Sequence, residues 1–462
     1  MGEMAVPDDA LYGASTQRAV LNFPVSGRPL PPAFIRGLGL VKWACARANE
    51  ELGLLDPAKS DLIQRAALEI VAGKLAGQFP VDVFQTGSAT STNTNANEVI
   101  ANRASQFAGQ PVGSGRPLHP NDDVNLGQSS NDVIPTTLHV SVALALHAEL
   151  ASALDGLAAA LEQKSARWSG VVKIGRTHLM DATPLTFGQE FSGYAMQARK
   201  AAARCRHAID ALGELAIGGT AVGTGLNAHA RFGGTVARIL AEKTGLPFRE
   251  ARNHFEAQGA RDDCVEVAGE LVAIAAGLTK IANDIRLLGS GPRAGLAELR
   301  LPATQPGSSI MPGKVNPVMS EMLVQVCLYV QGLAQTVAMA GRDGHLELNA
   351  TLPLMAHCLH ESIHCLANAV RVFTEKCVAG LEVEAERCGE LVGRSLMLVT
   401  ALNPLIGYDA AGQVAKEAHA TGKTLRQVVL ERKLLDAAAL DRILDPLAMT
   451  KSGAGQPGSA GG

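Results

Sequence analysis

The chain has 462 residues, in which 41 Lys and Arg nearly balance 44 Asp and Glu, for a formal net charge of −3. This length is too great for one simple core and suggests several domains, and the balanced charge provides no basic excess to attract nucleic acid. Aromatic residues make up only 4% of the chain. Such a composition favours helices packed on helices over a sheet. We therefore predict a mainly α-helical (all-α) protein without nucleic-acid partners.

The first residues of the chain and the distribution of its cysteines indicate the cellular compartment. Residues 1–9 lack the basic patch and the apolar run of a signal peptide. The eight cysteines are scattered singly, without a Cys-x-x-Cys pair. This distribution is typical of reduced, buried thiols rather than of a disulfide framework. We expect a cytoplasmic protein.

The N-terminal region, residues 1–128, is predicted to mix short helices with loops rich in Gly, Pro and Asn. Within it, residues 85–97 carry many hydroxyl and amide side chains just before a helix predicted from Val99. Helix N-termini attract carboxylates, and capping alone requires only one such side chain. This segment is therefore a candidate carboxylate-binding site. A second polar segment, residues 119–132, follows it.

Five segments of the central region, residues 129–385, have apolar residues at alternating steps of four and three. This spacing predicts bundle helices about 30 to 50 Å long. Several segments are apolar beyond one stripe, so we expect copies of the chain to associate through the bundle. The positions are Leu138, Val142, Leu146, Leu150, Leu154, Leu157 and Leu161; Phe191, Ala195, Ala198, Ala202, Cys205, Ile209 and Leu212; Val267, Leu271, Ile274, Leu278, Ile281, Ile285 and Leu288; Leu323, Val326, Val330, Leu333 and Val337; and Leu359, Ile363, Leu366, Val370, Phe373 and Cys377.

Two further polar segments, predicted to be loops, interrupt the central region. Residues 175–184 include Thr177 and His178. Residues 218–227 are glycine-rich, but they are predicted to follow a helix and do not match the Gly-x-Gly-x-x-Gly pattern of dinucleotide binding. Glycines that allow two helices or a ligand to approach closely explain this segment better.

Residues 307–321 form the most informative segment of the chain. Its glycines and prolines exclude regular structure, so it is predicted to be a loop whose backbone N–H groups remain available. Free amides beside Lys314 would form a site for a small anion, with Ser308 and Ser309 at its edge. A helix-to-helix linker that contains a chance lysine is the alternative.

Two segments raise other possibilities. Residues 322–341 carry no charge, yet three glutamines are spread along them and no flanking charge asymmetry exists, which favours a buried bundle helix over a membrane span. Residues 357–365 place three histidines and two cysteines at a spacing that can bind zinc. The cysteines adjoin the apolar face of the predicted helix, so we predict no metal site there. We also predict no membrane partner.

The C-terminal region, residues 386–462, is predicted to be a small separate domain with a loop at residues 403–408. Its tail, from about residue 450, is rich in Gly, Ser and Ala and is predicted to be disordered.

Residues 307–317 fill every fixed position of Gly-Ser-Ser-x-Met-Pro-x-Lys-x-Asn-Pro, the signature loop of the fumarase/aspartase superfamily. The four polar segments also resemble, in order and at compatible spacing, those of class II fumarate hydratases. The chain departs from the residues usual in class II fumarate hydratases at Ala89, where a glycine is usual, and at residues 126–127. The motifs that favour fumarase over aspartase are Thr86-Gly87-Ser88, Ser129-Ser130-Asn131, Thr177-His178 and Ala401-Leu402-Asn403-Pro404.

This resemblance implies a three-domain subunit with a central bundle of five long helices, and a homotetramer whose active sites are each shared by three chains. It implies reversible hydration of fumarate to (S)-malate, a step of the tricarboxylic acid cycle, with no cofactor and no metal. Ser308 would be the base, His178 would position or protonate the water, and Glu321 would pair with His178. The implied substrate-binding residues are Ser88, Ala89, Thr90, Ser129, Ser130, Asn131, Thr177, Ser309, Lys314, Val315 and Asn316. The implied second anion site comprises Arg116, His119, Pro120, Asn121 and Asp122.

The chemistry requires residues of these types. Removing a proton beside a carboxylate is possible only if that carboxylate accepts the developing charge, which requires several fixed hydrogen-bond donors. A base and an acid are also needed. Aspartate ammonia-lyase is the alternative enzyme, since it uses the same loop chemistry, and a non-catalytic structural protein on this scaffold is the alternative outside enzymes.

Overall fold

The structure is a computed structural model that describes residues 2–451. The chain is mainly α-helical, as predicted. The helices are α1 (Ala14–Asn22), α2 (Pro32–Glu51), α3 (Pro57–Val71), α4 (Thr90–Phe107), α5 (Ser130–Ala145), α6 (Ser152–Arg167), α7 (Phe187–Ala211), α8 (Phe232–Thr244), α9 (His254–Gly259), α10 (Asp262–Leu288), α11 (Val318–Gly341), α12 (Leu352–Lys376), α13 (Ala385–Arg394), α14 (Asn403–Ile406), α15 (Tyr408–Thr421), α16 (Leu425–Glu431) and α17 (Ala437–Ile443).

The strands are short and pair two by two: β1 with β2, β3 with β4, β5 with β8, and β6 with β7. The β3–β4 pair is parallel, and the other three are antiparallel. The strands are β1 (Val172–Thr177), β2 (Met180–Thr186), β3 (Glu214–Leu215), β4 (Arg249–Glu250), β5 (Leu299–Arg300), β6 (Gly344–His345), β7 (Leu348–Asn349) and β8 (Glu382–Val383).

The five predicted long helices are present. The first is α5 joined to α6 through a π-helical segment, Leu146–Ala151, and the others are α7, α10, α11 and α12. In four of these five helices, every apolar position named in the sequence analysis is buried, including Cys377 just beyond the end of α12. The alternating spacing therefore identified the faces of these helices correctly.

The fourth long helix, α11, differs from the prediction. Val326 and Leu333 are only half-buried, because the buried residues of α11 are Ser320, Leu323, Cys327, Val330, Ala334, Val337 and Ala340. By length and composition, Ser130–Arg167 and Val318–Gly341 could each cross a membrane, and the core helix of a soluble protein passes the same test. Only 28% of the apolar window in Val318–Gly341 is buried, so a wide apolar face of α11 is exposed within one chain.

The chain divides into two compact units. One comprises Met1–Ala153, Ala201–Gly277 and Gln325–Ala369, and the other comprises Leu154–Lys200, Leu278–Val324 and Val370–Gly462. The predicted division into residues 1–128, 129–385 and 386–462 follows chain segments instead, and it stays a prediction.

The C-terminal helices pack around a small core within the second unit. Leu402, Val414, Val428 and Leu440 are fully buried there, together with Ile174 from β1. The predicted disordered tail falls almost entirely on residues 452–462, which lie outside the described residues. All eight cysteines are free thiols, seven of them buried, as their scattered positions predicted.

Candidate active site

The first polar segment continues into α4, which begins at Thr90, nine residues before the predicted start at Val99. Thr and Asn are poor helix formers, so local propensity alone placed the start too late. Tertiary hydrogen bonds reverse that preference. The backbone N–H and the hydroxyl of Thr92 donate to Gln85 Oε1 at 3.2 and 2.8 Å, and Asn95 Nδ2 donates to Gln78 O at 2.9 Å.

Three predicted substrate-binding hydroxyls form a chain at this point. Ser88 Oγ lies 2.8 Å from Thr90 Oγ1, which lies 2.7 Å from Ser130 Oγ. Thr90 and Ser130 are the first residues of α4 and α5. The two helix N-termini are therefore in direct contact through side-chain hydroxyls.

The start of α5 is capped from both directions. Ser129 Oγ accepts from Asn131 N at 3.2 Å, and Asp132 Oδ1 accepts from Ser129 N at 2.9 Å. Asn131 Nδ2 donates to Ala221 O at 2.8 Å. Because each helix N-terminus carries partial positive charge and unsatisfied N–H groups, two of them at one place form a site that suits a carboxylate.

Ala89, the residue that departs from the usual glycine, caps α4 in the left-handed region with a φ of 53°. Its side chain is 0% exposed. Within one chain the extra methyl group therefore points into the protein and not into open space beside Thr90.

The glycine-rich segment, residues 218–227, holds the N-terminal end of α5 through hydrogen bonds to Asp132. Asp132 is fully buried, and its Oδ2 accepts from the backbone N–H groups of Gly218 and Thr220 at 3.1 and 2.9 Å. A Cβ on Gly219 would meet Gln258 Oε1 at 2.1 Å, which confirms the predicted close approach. The segment follows the two-residue strand β3 rather than a helix directly, but the space beside its glycines is filled by protein atoms.

The predicted second anion site lies on an exposed turn. Pro120–Val124 form one π-helical turn, and His119 Nδ1 accepts from Asp122 N at 3.2 Å. Asn121 is exposed, and the exposed Arg116 guanidinium makes no hydrogen bond or ion pair within residues 2–451. Arg116 and His119 are therefore available to an anion, although Asp122 Oδ2 lies 3.1 Å from His119 Nδ1.

The third polar segment is a β-hairpin and not the predicted loop. The strands β1 and β2 pair from Val172↔Thr186 to Thr177↔Met180, leaving His178 and Leu179 as a two-residue turn. Both turn residues have positive φ, 56° and 63°, as a type I′ turn requires. His178 is exposed at the tip, with Thr177 beside it.

Buried charges hold the base of this hairpin. Arg176 donates to the two carboxylate oxygens of Glu298 at 2.8 and 3.1 Å, and Glu298 is 0% exposed. Lys173, 2% exposed, lies 3.2 Å from Glu190 Oε1 and 3.8 Å from Glu298 Oε2. Burial raises the pKa of Glu190, and the charge of Lys173 opposes that rise. The network fixes the strand that carries His178.

The signature segment folds into a closed loop before α11. Ser308 Oγ accepts from the backbone N–H groups of Ile310 and Met311 at 3.2 and 3.0 Å. Asn316 Nδ2 donates to Gly307 O at 2.7 Å, and Gly307 N donates to Lys314 O at 2.8 Å. A Cβ on Gly307 would come within 2.5 Å of Lys314 O, so this closure requires glycine.

The remaining predicted residues of this segment are accessible. Ser309, Lys314 and Val315 are exposed, and Glu321 is half-buried in the first turn of α11. Within residues 2–451 the side chains of Lys314 and Glu321 form no ion pair, and His178 and Glu321 share no hydrogen bond. The predicted His178–Glu321 pair is therefore not made within one chain.

The predicted catalytic and substrate-binding residues thus form three groups in one chain: the N-termini of α4 and α5, the tip of the β1–β2 hairpin, and the loop before α11. A cavity of about 440 Å³ in the first unit is lined by residues such as Arg28, Ile35 and His357, and by none of the predicted site residues. The catalytic and binding roles of the three groups stay predictions.

Sequence reasoning missed the polar side chains that support these groups, notably the buried Lys42, Asp132 and Glu298 and the half-buried Arg176. A charged residue within an otherwise apolar run, such as Lys42 in residues 37–46, was the available signal.

Comparison with known proteins identifies the family. The profile of a family described as "Lyase" matches residues 2–332, and one described as "Fumarase C C-terminus" matches residues 398–451. The "Fumarate hydratase class II" of Mycobacterium tuberculosis is 53% identical over 98% of this chain and 95% of its own length. The chain belongs to the class II fumarate hydratase family. A second family member, "Fumarate hydratase class II 2" of Bradyrhizobium diazoefficiens, is 50% identical over 98% of this chain and 96% of its own length.

Two solved structures agree with this chain in fold. The class II fumarase of Schistosoma mansoni superimposes with a TM-score of 0.93 at 39% identity, covering 96% of each chain. The fumarate lyase:delta crystallin of Brucella melitensis also gives a TM-score of 0.93, at 45% identity over 97% of this chain and 98% of that one. The predicted fumarase-like helical fold is therefore confirmed.

Proposed function

We propose that the chain is a class II fumarate hydratase, which adds water reversibly to fumarate to give (S)-malate. The observation that carries the proposal is the relation to named fumarate hydratases, at about half identity over nearly the whole of each chain. The complete Ser308 loop and the paired helix N-termini supply the residues that this chemistry needs. Fumarate and malate are small dicarboxylates, so each carboxylate requires its own set of donors.

One substrate carboxylate would bind where α4 and α5 begin. Thr90 and Ser130 are joined through their hydroxyls at 2.7 Å, and both helices direct their N-terminal N–H groups to this place. Ser88, Ser129 and Asn131 complete the set of polar side chains. When the neighbouring carbon loses its proton, the carboxylate becomes more negative, and donors fixed in advance stabilise that charge without reorganising.

Ser308 would take the carbon-bound proton. A serine hydroxyl is a weak base, so its alkoxide must be stabilised. The backbone N–H groups of Ile310 and Met311 already donate to Ser308 Oγ, in the manner of an oxyanion hole. The charge of Lys314 and the amide of Asn316, on the same closed loop, add to this stabilisation and can bind the second carboxylate.

His178 would act on the water or hydroxide at the other carbon. Its ring is exposed at a turn held by the Arg176–Glu298 pair, so the base of the hairpin is rigid while the imidazole is accessible. A carboxylate such as Glu321 would orient the imidazole and raise its basicity. Because the two residues are not paired within one chain, the pairing would join two copies.

We further propose a homotetramer in which several copies build each site. The support is the exposed apolar face of α11, where Leu328, Tyr329 and Met339 are 61%, 45% and 51% exposed. A long helix with such a face requires cover, and a second copy of the same helix offers a matching surface. The prediction of a cytoplasmic enzyme is retained here and rests on its eight free cysteines.

A product analysis tests the proposed reaction. Purified protein is given fumarate alone and then fumarate with ammonium, and the products are identified by NMR. Malate in both experiments supports the fumarate hydratase, and light scattering should give about four times 48.1 kDa. Aspartate without malate would establish the ammonia-lyase instead, and no product in either experiment would favour a structural protein.

A further inference from the structure

A fully buried lysine lies behind the carboxylate-binding end of the site. Lys42 of α2 is 0% exposed, and its ammonium donates to Asn125 Oδ1 at 3.0 Å and to Gln128 Oε1 at 2.9 Å. Neither acceptor carries a charge. Burying an ammonium group is costly, and an apolar side chain of similar size would often be at least as stable. The charge therefore calls for an explanation other than packing.

Asn125 Oδ1 connects Lys42 to α4. This one oxygen accepts from Lys42 Nζ and also from Asn93 Nδ2 and Asn97 Nδ2, each at 3.2 Å. Asn93 and Asn97 lie one and two turns inside α4, the helix that begins at Thr90. Three donors on one oxygen thus fix α4 against the segment before α5.

Gln128 connects Lys42 to α5. Its Nε2 donates to Val124 O and Leu126 O at 3.0 and 3.3 Å, while Asn125 Nδ2 donates to Gln128 O at 3.0 Å. These bonds close residues 124–128 into a compact turn. The next residue is Ser129, the cap of α5, so the conformation of this turn decides where the α5 N-terminus lies.

The charge of Lys42 has an electrostatic effect as well. Among the groups around it, Asp132 is the buried carboxylate and Cys45 is a buried thiol on the same helix. Burial lowers the pKa of Lys42 to about 8, and it raises the pKa of Asp132 to about 6 and that of Cys45 to about 12. At neutral pH the Lys42 ammonium and the Asp132 carboxylate therefore both carry charge, while Cys45 is neutral.

We propose that Lys42 is a positioning residue of the substrate site: through Asn125 and Gln128, its ammonium holds the N-termini of α4 and α5 at the spacing that a substrate carboxylate requires. The inference rests on the proposed function and adds a residue that does not itself touch the substrate. Removing the ammonium leaves Gln128 Oε1 without its donor and takes one of three donors from Asn125 Oδ1, which loosens both helix starts.

The test compares Lys42→Met with Lys164→Met. Lys164 is a matched control, because it is also buried, at 8% exposed, and donates to two neutral oxygens, Ala379 O at 2.9 Å and Leu381 O at 2.8 Å. We expect Lys42→Met to raise KM for fumarate about tenfold or more with a smaller change in kcat, because ground-state carboxylate binding is lost. Lys164→Met should lower the melting temperature without changing KM.

A pH profile adds a readout that a purely structural role would not affect. In the wild type, KM should rise above about pH 8 as Lys42 loses its proton, since Asp132 and Cys45 do not titrate there. The Lys42→Met variant should lack this rise. If Lys42→Met does not assemble, Asn97→Ala, which removes one of the three donors to Asn125, should raise KM in the same direction by about threefold.

A wild type that does not hydrate fumarate would overturn the proposed function. If the wild type is active, the role of Lys42 alone would be overturned by a Lys42→Met variant whose KM for fumarate matches that of Lys164→Met. If Lys42→Met does not assemble, the same comparison is made with Asn97→Ala. Thermal protection by succinate, a non-reacting dicarboxylate, should fall in the Lys42 variant and not in the control. Equal protection in both would count against Lys42 in the same way.

Discussion

The hydroxyl of Ser308 shows what one residue gains from its surroundings. The sequence pattern identified Ser308, Lys314 and Asn316 because their spacing is specific. It could not show that the backbone N–H groups of Ile310 and Met311 both point at Ser308 Oγ, or that Gly307 closes the loop. Such contacts depend on backbone dihedral angles, which residue types alone restrict only loosely.

Replacing Ser308 tests the proposed base. Ser308→Ala should lower kcat by about 10²- to 10⁴-fold, the range for removing a general base. Assembly and melting temperature should be unchanged, since the hydroxyl accepts only from its own turn. Ser192→Ala, on an exposed helical serine, is the control. Near-normal turnover of fumarate by Ser308→Ala would exclude Ser308 from the reaction.

Ala89 offers a test of specificity at the same scale. A left-handed alanine costs about 1–2 kcal/mol, whereas glycine there loses about 0.5–1 kcal/mol of backbone entropy on folding, so Ala89→Gly should change stability little. KM for fumarate should also stay within about twofold, because the Ala89 methyl is fully buried. Ala89→Val should raise KM, since a β-branched residue is strained at positive φ. A large fall in KM for Ala89→Gly would show that the methyl does obstruct the site.

Among the elements, those with strong periodicity were predictable and those set by tertiary contacts were not. The seams of the long helices followed from apolar spacing, except in α11, where apolar residues surround the helix and leave its buried side ambiguous. The β1–β2 hairpin was missed because its turn, His178-Leu179, lacks the usual Asn-Gly signal. The early start of α4 was missed because partners such as Gln85 override the low helix propensity of Thr and Asn.

Glu298→Gln tests whether the hairpin base positions His178. The change removes a buried negative charge that faces Arg176 and Lys173, which should destabilise the region by about 3–5 kcal/mol. Amide hydrogen exchange in β1 and β2 should therefore accelerate, and kcat should fall more than KM rises. Glu382→Gln is the control, because its exposed pair with Arg167, at 3.0 Å, should contribute at most about 1 kcal/mol. Unchanged exchange in Glu298→Gln would contradict the role of this network.

At the scale of the whole molecule, one chain leaves apolar helix surface exposed. Composition and periodicity predicted a helical bundle with excess apolar surface, and the exposed face of α11 has that character. The arrangement of the copies in the proposed homotetramer could not be predicted, because it depends on the fit of whole surfaces rather than on local patterns. Each part of the proposed site is held by buried contacts within its own chain, such as those of Asp132 for α5 and of Glu298 for the hairpin.

Mixed assemblies test whether the site is shared. If Ser308 and His178 reach one pocket from different copies, Ser308→Ala and His178→Asn should each be inactive as pure assemblies. Dissociating the two variants and reassembling them together should then restore part of the fumarate turnover, since some pockets receive an intact Ser308 from one chain and an intact His178 from the other. The motivation is that His178 and Glu321 are not paired within one chain, although both side chains are accessible.

Reassembling each variant with itself is the control for this experiment, and native mass spectrometry verifies that mixed assemblies have formed. A pocket built within a single chain could never recover, because every chain would carry one lesion. Recovered activity should scale with the fraction of mixed assemblies, reaching its maximum near equal amounts of the two variants. Verified mixed assemblies without any turnover would refute the shared site for this pair of residues, and they would leave the Ser308 loop and its chemistry to be tested by Ser308→Ala alone.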